Sequence, residues 1–267
     1  MKKSIENLVT CDLGGTKLLI RVCKQGECIE RRFETGIDFK PAVFSEILSN
    51  LESEFSLDDY PMAIAFPGLL NGKSSYVSNV VPQFDGYDLT QLSDKANLEL
   101  VLNDVEAGTY GIINEEHKVE VLVMSGTGIG MGISIDGNVF RGENGFSGEL
   151  GSCRTLRNGK FVRLAKIASG SALKENPELT QKESGRDLGM AVSWVINCFN
   201  PGRVVFAGGM FNEQIYREAC FDAIESMSLQ QSFQRCQIEL EAEMHSIVVR
   251  GLEVALRKHF PATYGIQ

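Results

Sequence analysis

Residues Cys11-Asp12-Leu13-Gly14-Gly15-Thr16-Lys17 form a glycine-rich turn between two apolar runs, Leu8 to Thr10 and Leu18 to Cys23. Both flanks read as strands, which makes the turn the tip of a hairpin and not a strand-to-helix corner. A dinucleotide fingerprint or a P-loop needs a helix opening directly after its glycines, because the helix N-terminus supplies the anion site. None follows here. What remains is a bare turn whose N–H groups can wrap an oxyanion, with glycine removing the Cβ atoms that would hold a phosphate away. Thr16 adds a hydroxyl donor, Lys17 a positive charge, and Asp12 a carboxylate suited to a hydrated Mg²⁺. An ordinary tight hairpin would have the same flanks, so a second feature has to decide.

That feature is the run Val121 to Ile135, which repeats the scheme of strand, Ser125-Gly126-Thr127-Gly128 turn and strand. Two phosphate-type turns suggest duplicated lobes closing on one nucleotide. A third glycine site, Gly208-Gly209, follows the short apolar strand Val204 to Ala207 and precedes a helix-like stretch. Glycine there lets a flat base or ribose approach the backbone.

Taken in order, DLGGTK, LNDVEAG, SGTGIGMG, GENGFSGELG and VVFAGGM resemble the motifs of the ROK family (repressor, open reading frame, kinase). That family belongs to the actin, hexokinase and heat-shock-chaperone superfamily, and the resemblance covers most of residues 8 to 260. It implies an α/β fold of two actin-like, ribonuclease H-like lobes with a central cleft. The expected boundaries are 1–115 for the first lobe and 116–267 for the second, with the last helix packing back on the first.

Bulk properties agree with a globular protein of two modest lobes: 267 residues with 43% hydrophobic content. With 35 acidic against 26 basic residues and a net charge of -9, a nucleic-acid partner held by phosphate neutralisation is not expected. Residues Met1 to Asn7 carry charge but no apolar core, so they do not read as a signal peptide. No apolar stretch approaches the ~20 residues that span a bilayer. The expectation is a cytoplasmic protein with no membrane partner. Seven cysteines, Cys11, Cys23, Cys28, Cys153, Cys198, Cys220 and Cys236, are scattered without a framework. They are expected to be reduced and mostly buried as small hydrophobes. There is no CxxC pair, and the three histidines lie far from any cysteine cluster, so a zinc site is not expected.

Phe44, Ile47, Leu48, Leu51 and Phe55 recur at helical spacing after Pro41, which fits a helix start. The apolar strand Met62 to Phe66 ends at the turn Pro67-Gly68. In the resembled family the corresponding turn borders the sugar cleft, which makes Gly68 a candidate. The polar segment Tyr76 to Tyr87 reads as a loop. The resemblance places a sugar-facing Asn or Ser there, Asn79 or Ser78.

An apolar strand ends in Asn103-Asp104, and a helix-like segment follows. Asp104 therefore reads either as an N-cap or as the base that a phosphoryl acceptor needs at a strand's carboxyl end. A sugar hydroxyl is a weak nucleophile at neutral pH, and a carboxylate in reach can orient it and accept its proton. The resemblance assigns the base role to Asp104 and sugar binding to Asn103 and Asp104. Glu106, two residues on, would face another direction.

In the second half, Asp136-Gly137 is a hairpin signal. In the segment Arg141 to Ser152, with its many glycines, the resemblance makes Glu149 a sugar-hydroxyl acceptor. Relatives with the zinc-binding loop have a histidine where this chain has Ser152, then a CxCGxxGC loop, then a second glutamate where this chain has Ala165. Zinc is therefore expected to be absent, and two sugar contacts with it. Leu188, Val192, Val195, Ile196 and Phe199 form a core stripe, with Trp194 expected to pack there too. Gln214 to Leu229 and Ser246 to His259 read as helices around a strand, Cys236 to Leu240.

The resemblance thus implies an ATP-dependent, Mg²⁺-using kinase that phosphorylates a hydroxyl of a hexose or hexose derivative. Gly14, Gly15, Thr16, Lys17, Gly126, Thr127 and Gly128 would bind the phosphates, Gly208 and Gly209 the adenosine, and Asp12 with Asp104 would lie at the metal. A homodimer is common among such relatives. Two alternatives stay open: a sugar- or nucleotide-sensing protein without turnover, and a kinase that takes polyphosphate as donor.

Overall fold

The structure is a computed structural model and describes residues 6–259 apart from 79, 115, 244 and 245. The chain forms two compact units, Met1–Gly111 with Ser246–Gln267, and Ile112–His245. Each is an α/β body around its own sheet, as the sequence leads one to expect.

In unit 1 the strands are β1 (Leu8–Leu13), β2 (Lys17–Lys24), β3 (Glu27–Glu34), β4 (Pro61–Phe66), the short β5 (Leu69–Asn71) and β6 (Ser74–Val77), and β7 (Asn97–Asn103). The main sheet runs β3-β2-β1-β4-β7. The chain first makes an antiparallel β1–β2–β3 meander, and β4 and β7 then join parallel to β1. β1 and β4 are buried almost throughout, as parallel strands covered on both faces must be, and this explains their unbroken apolar runs. Gln25 and Gly26, at φ 53° and 88°, supply the left-handed pair that closes the tip between β2 and β3.

Helix α1 (Pro41–Phe55) starts at its proline, where a missing N–H costs nothing, and buries Phe44, Leu48 and Leu51 in the unit 1 core. Helix α2 (Asp104–Ile112) follows β7 directly. The final helix of the chain also belongs to unit 1 and packs on α2 through a bare backbone approach. A Cβ at Gly251 would lie 1.7 Å from the Ala107 carbonyl oxygen.

Unit 2 repeats the plan. Its strands are β8 (Val119–Ser125), β9 (Ile129–Ile135), β10 (Asn138–Val139), β11 (Arg154–Arg157), β12 (Lys160–Arg163), β13 (Arg203–Ala207) and β14 (Gln237–Leu240). The main sheet runs β10-β9-β8-β13-β14, antiparallel on the first side and parallel on the second. Asp136 and Gly137, at φ 49° and 73°, form the expected tight hairpin. Asn158 and Gly159, at 51° and 76°, form another between β11 and β12 that sequence reading did not anticipate.

The helices are α3 (Ala165–Ala168), α4 (Gly170–Glu175), α5 (Gln181–Phe199), α6 (Gln214–Met227), α7 (Gln230–Phe233) and, in unit 1, α8 (Ile247–His259). α5 opens with a reciprocal Thr180–Glu183 capping box and ends at Asn200 in the left-handed region before Pro201. Among the described residues no helix is long and apolar enough to cross a membrane.

Three expectations fail, the first being Phe199, which is 39% exposed at the end of α5 and not part of its buried stripe. Trp194 is 44% exposed and not in the core. It lies about 200° around the helix from Val192, off the buried stripe. The cysteines are also not uniformly reduced and buried: Cys23 is bonded to Cys28, and Cys28, Cys153 and Cys198 are exposed.

α5 and α6 pack at glycines. A Cβ at Gly189 would lie 2.2 Å from the Cys220 carbonyl oxygen and 2.7 Å from Ala223 Cβ. Backbone cannot yield as a side chain can, so Gly189→Ala is expected to lower unfolding free energy by about 1–3 kcal/mol. Urea denaturation checks this.

Candidate functional site

The parallel register of unit 1 brings three distant segments to one end of its sheet. Asp12 on β1 is level with Ala65 on β4, Ala65 with Leu102, and Phe66 with Asn103 on β7. The turn at Gly14, the Pro67-Gly68 turn and the Asn103-Asp104 pair therefore all leave from carboxyl ends of neighbouring strands. In open α/β sheets that end is where ligands bind.

Within the first turn, Gly14 N–H donates to the Lys17 carbonyl at 2.8 Å, and Thr35 braces it from β3's end by donating Oγ1–H to the Gly14 carbonyl at 2.6 Å. The N–H groups of Gly15 and Thr16 make no backbone hydrogen bond among the described residues. Thr16 is exposed, and Lys17 begins β2. Gly15 has a packing reason too, since a Cβ there would come within 2.5 Å of Val80 Cγ1.

Asp104 is the first residue of α2, but the cap bond belongs to its neighbour: Asn103 Oδ1 accepts from Val105 N–H at 2.9 Å. Asp104 Oδ1 receives the same N–H at 2.9 Å. Both side chains therefore share the cap N–H. Asn103 closes the helix end with its oxygen, and its amide NH₂ keeps two donors of the other sign. Asp104 sits at the positive end of the helix dipole.

The electrostatics tie Asp12 to this group. Its carboxyl is pushed up from an ordinary 3.8 to about 7, first by burial, then by the charge of Asp104, and against the pull of Lys17. Part of the residue's surface is still open, but desolvation of the carboxylate outweighs everything else. Two carboxylates that feel one another, one poorly hydrated, form a site short of positive charge. The fit to a hard divalent cation is therefore good, and Asp12 and Asp104 are the residues that would hold it.

Gly68 has an internal reason to lack a side chain, because a Cβ there would lie 2.5 Å from the Val77 carbonyl oxygen. Asn79 lies outside the described residues. Ser78 is committed to the loop itself: its hydroxyl donates to the Pro67 carbonyl at 2.5 Å and accepts from Val80 and Val81 N–H.

In unit 2, β8 and β13 run parallel with Met124 level with Ala207, so the Ser125 to Gly128 turn and Gly208-Gly209 emerge together. Gly126 N–H donates to the Gly128 carbonyl at 3.0 Å. The turn is pinned from behind by Gly170 N–H to the Gly126 carbonyl at 2.7 Å and Ser171 N–H to the Thr127 carbonyl at 3.3 Å. Thr127 and Gly128 are exposed.

A Cβ at Gly126, Gly128 or Gly209 would meet nothing, so nothing within the chain demands glycine there. Gly208 differs, with φ 103° and a Cβ position 2.3 Å from the Ser125 carbonyl oxygen. Glu149 is exposed and accepts Ser152 Oγ–H at 3.1 Å. The following Gly151 packs on Ile129, at the start of β9 beside the turn. Where the resembled loop would continue, this chain makes the β11–β12 hairpin.

Sequence reading missed Tyr216. Fully buried on α6, its hydroxyl donates to the Ala168 carbonyl at 2.7 Å and lies 2.9 Å from Ser125 Oγ. It thereby fixes the strand end that carries the second turn. A buried tyrosine wants a partner for its O–H, but nothing in the sequence says which.

A family model described as ROK family matches residues 8–180. The chain is 26% identical over 185 residues to an N-acetylmannosamine kinase of Haemophilus influenzae, which covers 61% of this chain and 59% of that one. It is 31% identical over 179 residues to the xylose repressor of Bacillus subtilis, covering 54% of this chain and 47% of the repressor. The chain thus spans about half the length of these curated relatives. Among solved structures, a ROK family glucokinase from Streptomyces griseus in complex with glucose and AMPPNP superposes with a TM-score of 0.71. It shares 15% identity, over 95% of this chain and 99% of that one.

Two outcomes follow from this geometry. Because Asp12 holds its proton more tightly folded than unfolded, its contribution is fully present below about pH 4 and is lost as pH rises through about 7. In metal-free buffer, Asp12→Asn should match wild type near the acid end and exceed it by about 2–4 kcal/mol above neutrality, at 1.36 kcal/mol per pKa unit. Chemical denaturation at several pH values checks the crossing. Separately, Tyr216→Phe leaves Ser125 Oγ and the Ala168 carbonyl short of a partner and should cost about 1–3 kcal/mol, read from the same measurement.

Proposed function

The chain belongs to the ROK family, and from that premise we propose that it is an ATP-dependent kinase acting on a hydroxyl of a hexose or hexose derivative. The observation that carries the reading is the carboxylate pair at the ends of β1 and β7, with Asp12 pushed up to about 7 partly by Asp104. The kinases among the similar proteins, one of them described with glucose and AMPPNP, support the sugar and nucleotide classes.

In this reading Asp104 accepts the proton of the sugar hydroxyl as the new bond to phosphorus forms and the bond to the leaving diphosphate breaks. Asn103 and Glu149 hold neighbouring hydroxyls, and Gly68 and Asn79 border the sugar. Gly14 and Gly126 close their turns with their own N–H groups, and the N–H groups of Gly15 and Thr16, with Lys17, and those of Thr127 and Gly128 act as preorganised donors to phosphate oxygens. Gly208 and Gly209 face the adenosine. Mg²⁺, when bound at Asp12 and Asp104, supplies neutralisation of the phosphate oxygens. The domain limits we propose are 1–115 and 116–267, and the compartment is the cytoplasm.

The xylose repressor among the relatives favours one second reading, a sugar-binding protein without turnover. An ADP-release assay over glucose, N-acetylmannosamine, other amino sugars and β-glucosides separates the two, with polyphosphate as an alternative donor. Turnover of at least one sugar supports the kinase; binding of sugar and nucleotide with no ADP release across the panel establishes the sensor instead. On the accepted sugar, Asp104→Asn should lower kcat by about 10²–10⁴-fold with sugar binding retained. Wild-type turnover in that variant would remove Asp104 from the chemistry.

A further inference from the structure

Cys23 and Cys28 stand directly opposite one another on β2 and β3, with Cα atoms 4.1 Å apart across the Lys24 to Glu27 tip. Cys23 is buried and Cys28 exposed, so the pair reaches from the interior of unit 1 to solvent. Over them lies Glu253 of α8, its Oε2 3.9 Å from Cys23 Sγ. The two sulfurs and a Glu253 oxygen all lie within 4.8 Å of one another, and among the described residues no other group of three such side chains comes together.

We propose that in its dithiol form this trio is a binding site for a zinc-class divalent ion, unrelated to the candidate catalytic residues. Thiolate and carboxylate are ligands that Zn²⁺ takes, and three protein ligands leave a fourth, tetrahedral position open to water. The required rearrangement is small. Tetrahedral Zn–S bonds of about 2.3 Å put the sulfurs roughly 3.8 Å apart, which side-chain rotation on two facing strand positions supplies.

Charge supports the same conclusion. Two thiolates and a carboxylate carry one negative charge more than a divalent ion cancels. Arg21, on β2 two residues before Cys23, places Nε 3.4 Å from Glu253 Oε2, and that Nε is buried without a hydrogen bond. Its cation, shared with Glu30 through Nη1 at 3.1 Å, offsets part of the surplus together with Arg257 and favours thiolate over thiol. Arg257 holds the other carboxylate oxygen at 2.9 Å, so that Oε2 lies between Arg21 Nε and Cys23 Sγ.

The chemistry balances in two steps. A dithiol reductant reduces the Cys23–Cys28 bond, itself becoming a disulfide, and leaves two thiols. Metal binding then releases both thiol protons as two metal–sulfur bonds form. Oxidation and occupancy therefore exclude each other, and either state ties the β2–β3 hairpin at the same point.

Cobalt(II) is the probe, because its thiolate charge-transfer absorption and tetrahedral ligand-field bands report the ligands directly. Full-length protein, reduced and desalted without oxygen, should bind one Co²⁺ with both signatures and release it to Zn²⁺. Oxidised protein should show neither. Cys28→Ser, at an exposed strand position, should weaken binding at least a hundredfold, and Glu253→Gln at least tenfold with the charge-transfer band retained. Reduced wild type without the band, oxidised protein with it, or full affinity in either variant would overturn the site. The comparison of reduced and oxidised wild type needs no variant to fold.

Discussion

The parallel register of β1, β4 and β7 is the constraint on which the candidate site rests. It sets Asp12, the Pro67-Gly68 turn and Asn103-Asp104 side by side although they are separated by some ninety positions of chain. The register is not uniform. It shifts between Met62 and Ala63, so that Met62 faces Leu98 and Ala63 faces Leu100, with Glu99 the extra residue on β7. Side chains alternate with period two, and one inserted residue exchanges the faces of everything beyond it. The irregularity at Glu99 thus decides that Asn103 ends level with Phe66, and that the helix carrying Asp104 starts there.

Both units solve the same packing problem in the same order. A meander supplies three antiparallel strands, and two further strands add parallel to the first. The hairpin tip and the parallel strand ends then fall at the same end of each sheet, because the first strand belongs to both arrangements. The glycine turn in each case is the loop after that first strand. This is why Gly14 and Gly126 hold equivalent places, and why the glycine pair at 208 and 209 follows the strand next to β8.

Much of this was legible in the chain. The hairpin character of the Gly14 turn, the repeat at Gly126 and the strand-to-helix passage at Asp104 follow from short apolar runs bounded by glycine or by Asn-Asp. The β11–β12 hairpin was written in Asn158-Gly159 as plainly as the earlier one in Asp136-Gly137. Its strands, however, are four residues each and rich in arginine, so no alternation of apolar residues exposed them. Trp194 shows the opposite error: hydrophobic character suggested the core, whereas its angle around α5 already set it aside. Ser78 looked as available as any loop serine until its three hydrogen bonds were seen.

What no sequence pattern could show are groupings made by tertiary closure. Tyr216 meets Ser125 across 91 positions, and Cys23 meets Glu253 across 230. A search for metal ligands by spacing finds nothing at Cys23, since one of its partners lies across a hairpin and the other on the last described helix. The same closure explains the Asp12 carboxyl. An isolated Asp on a strand end would be hydrated and ordinary. Here burial beside a second carboxylate makes the ionised form costly, a cost that a proton offsets up to about neutrality and that a bound cation would offset as well. A protein that keeps such a pair at the binding end of its sheet is less stable empty than it needs to be. That penalty makes sense if the empty state is brief, with the metal of the proposed nucleotide bringing the missing charge.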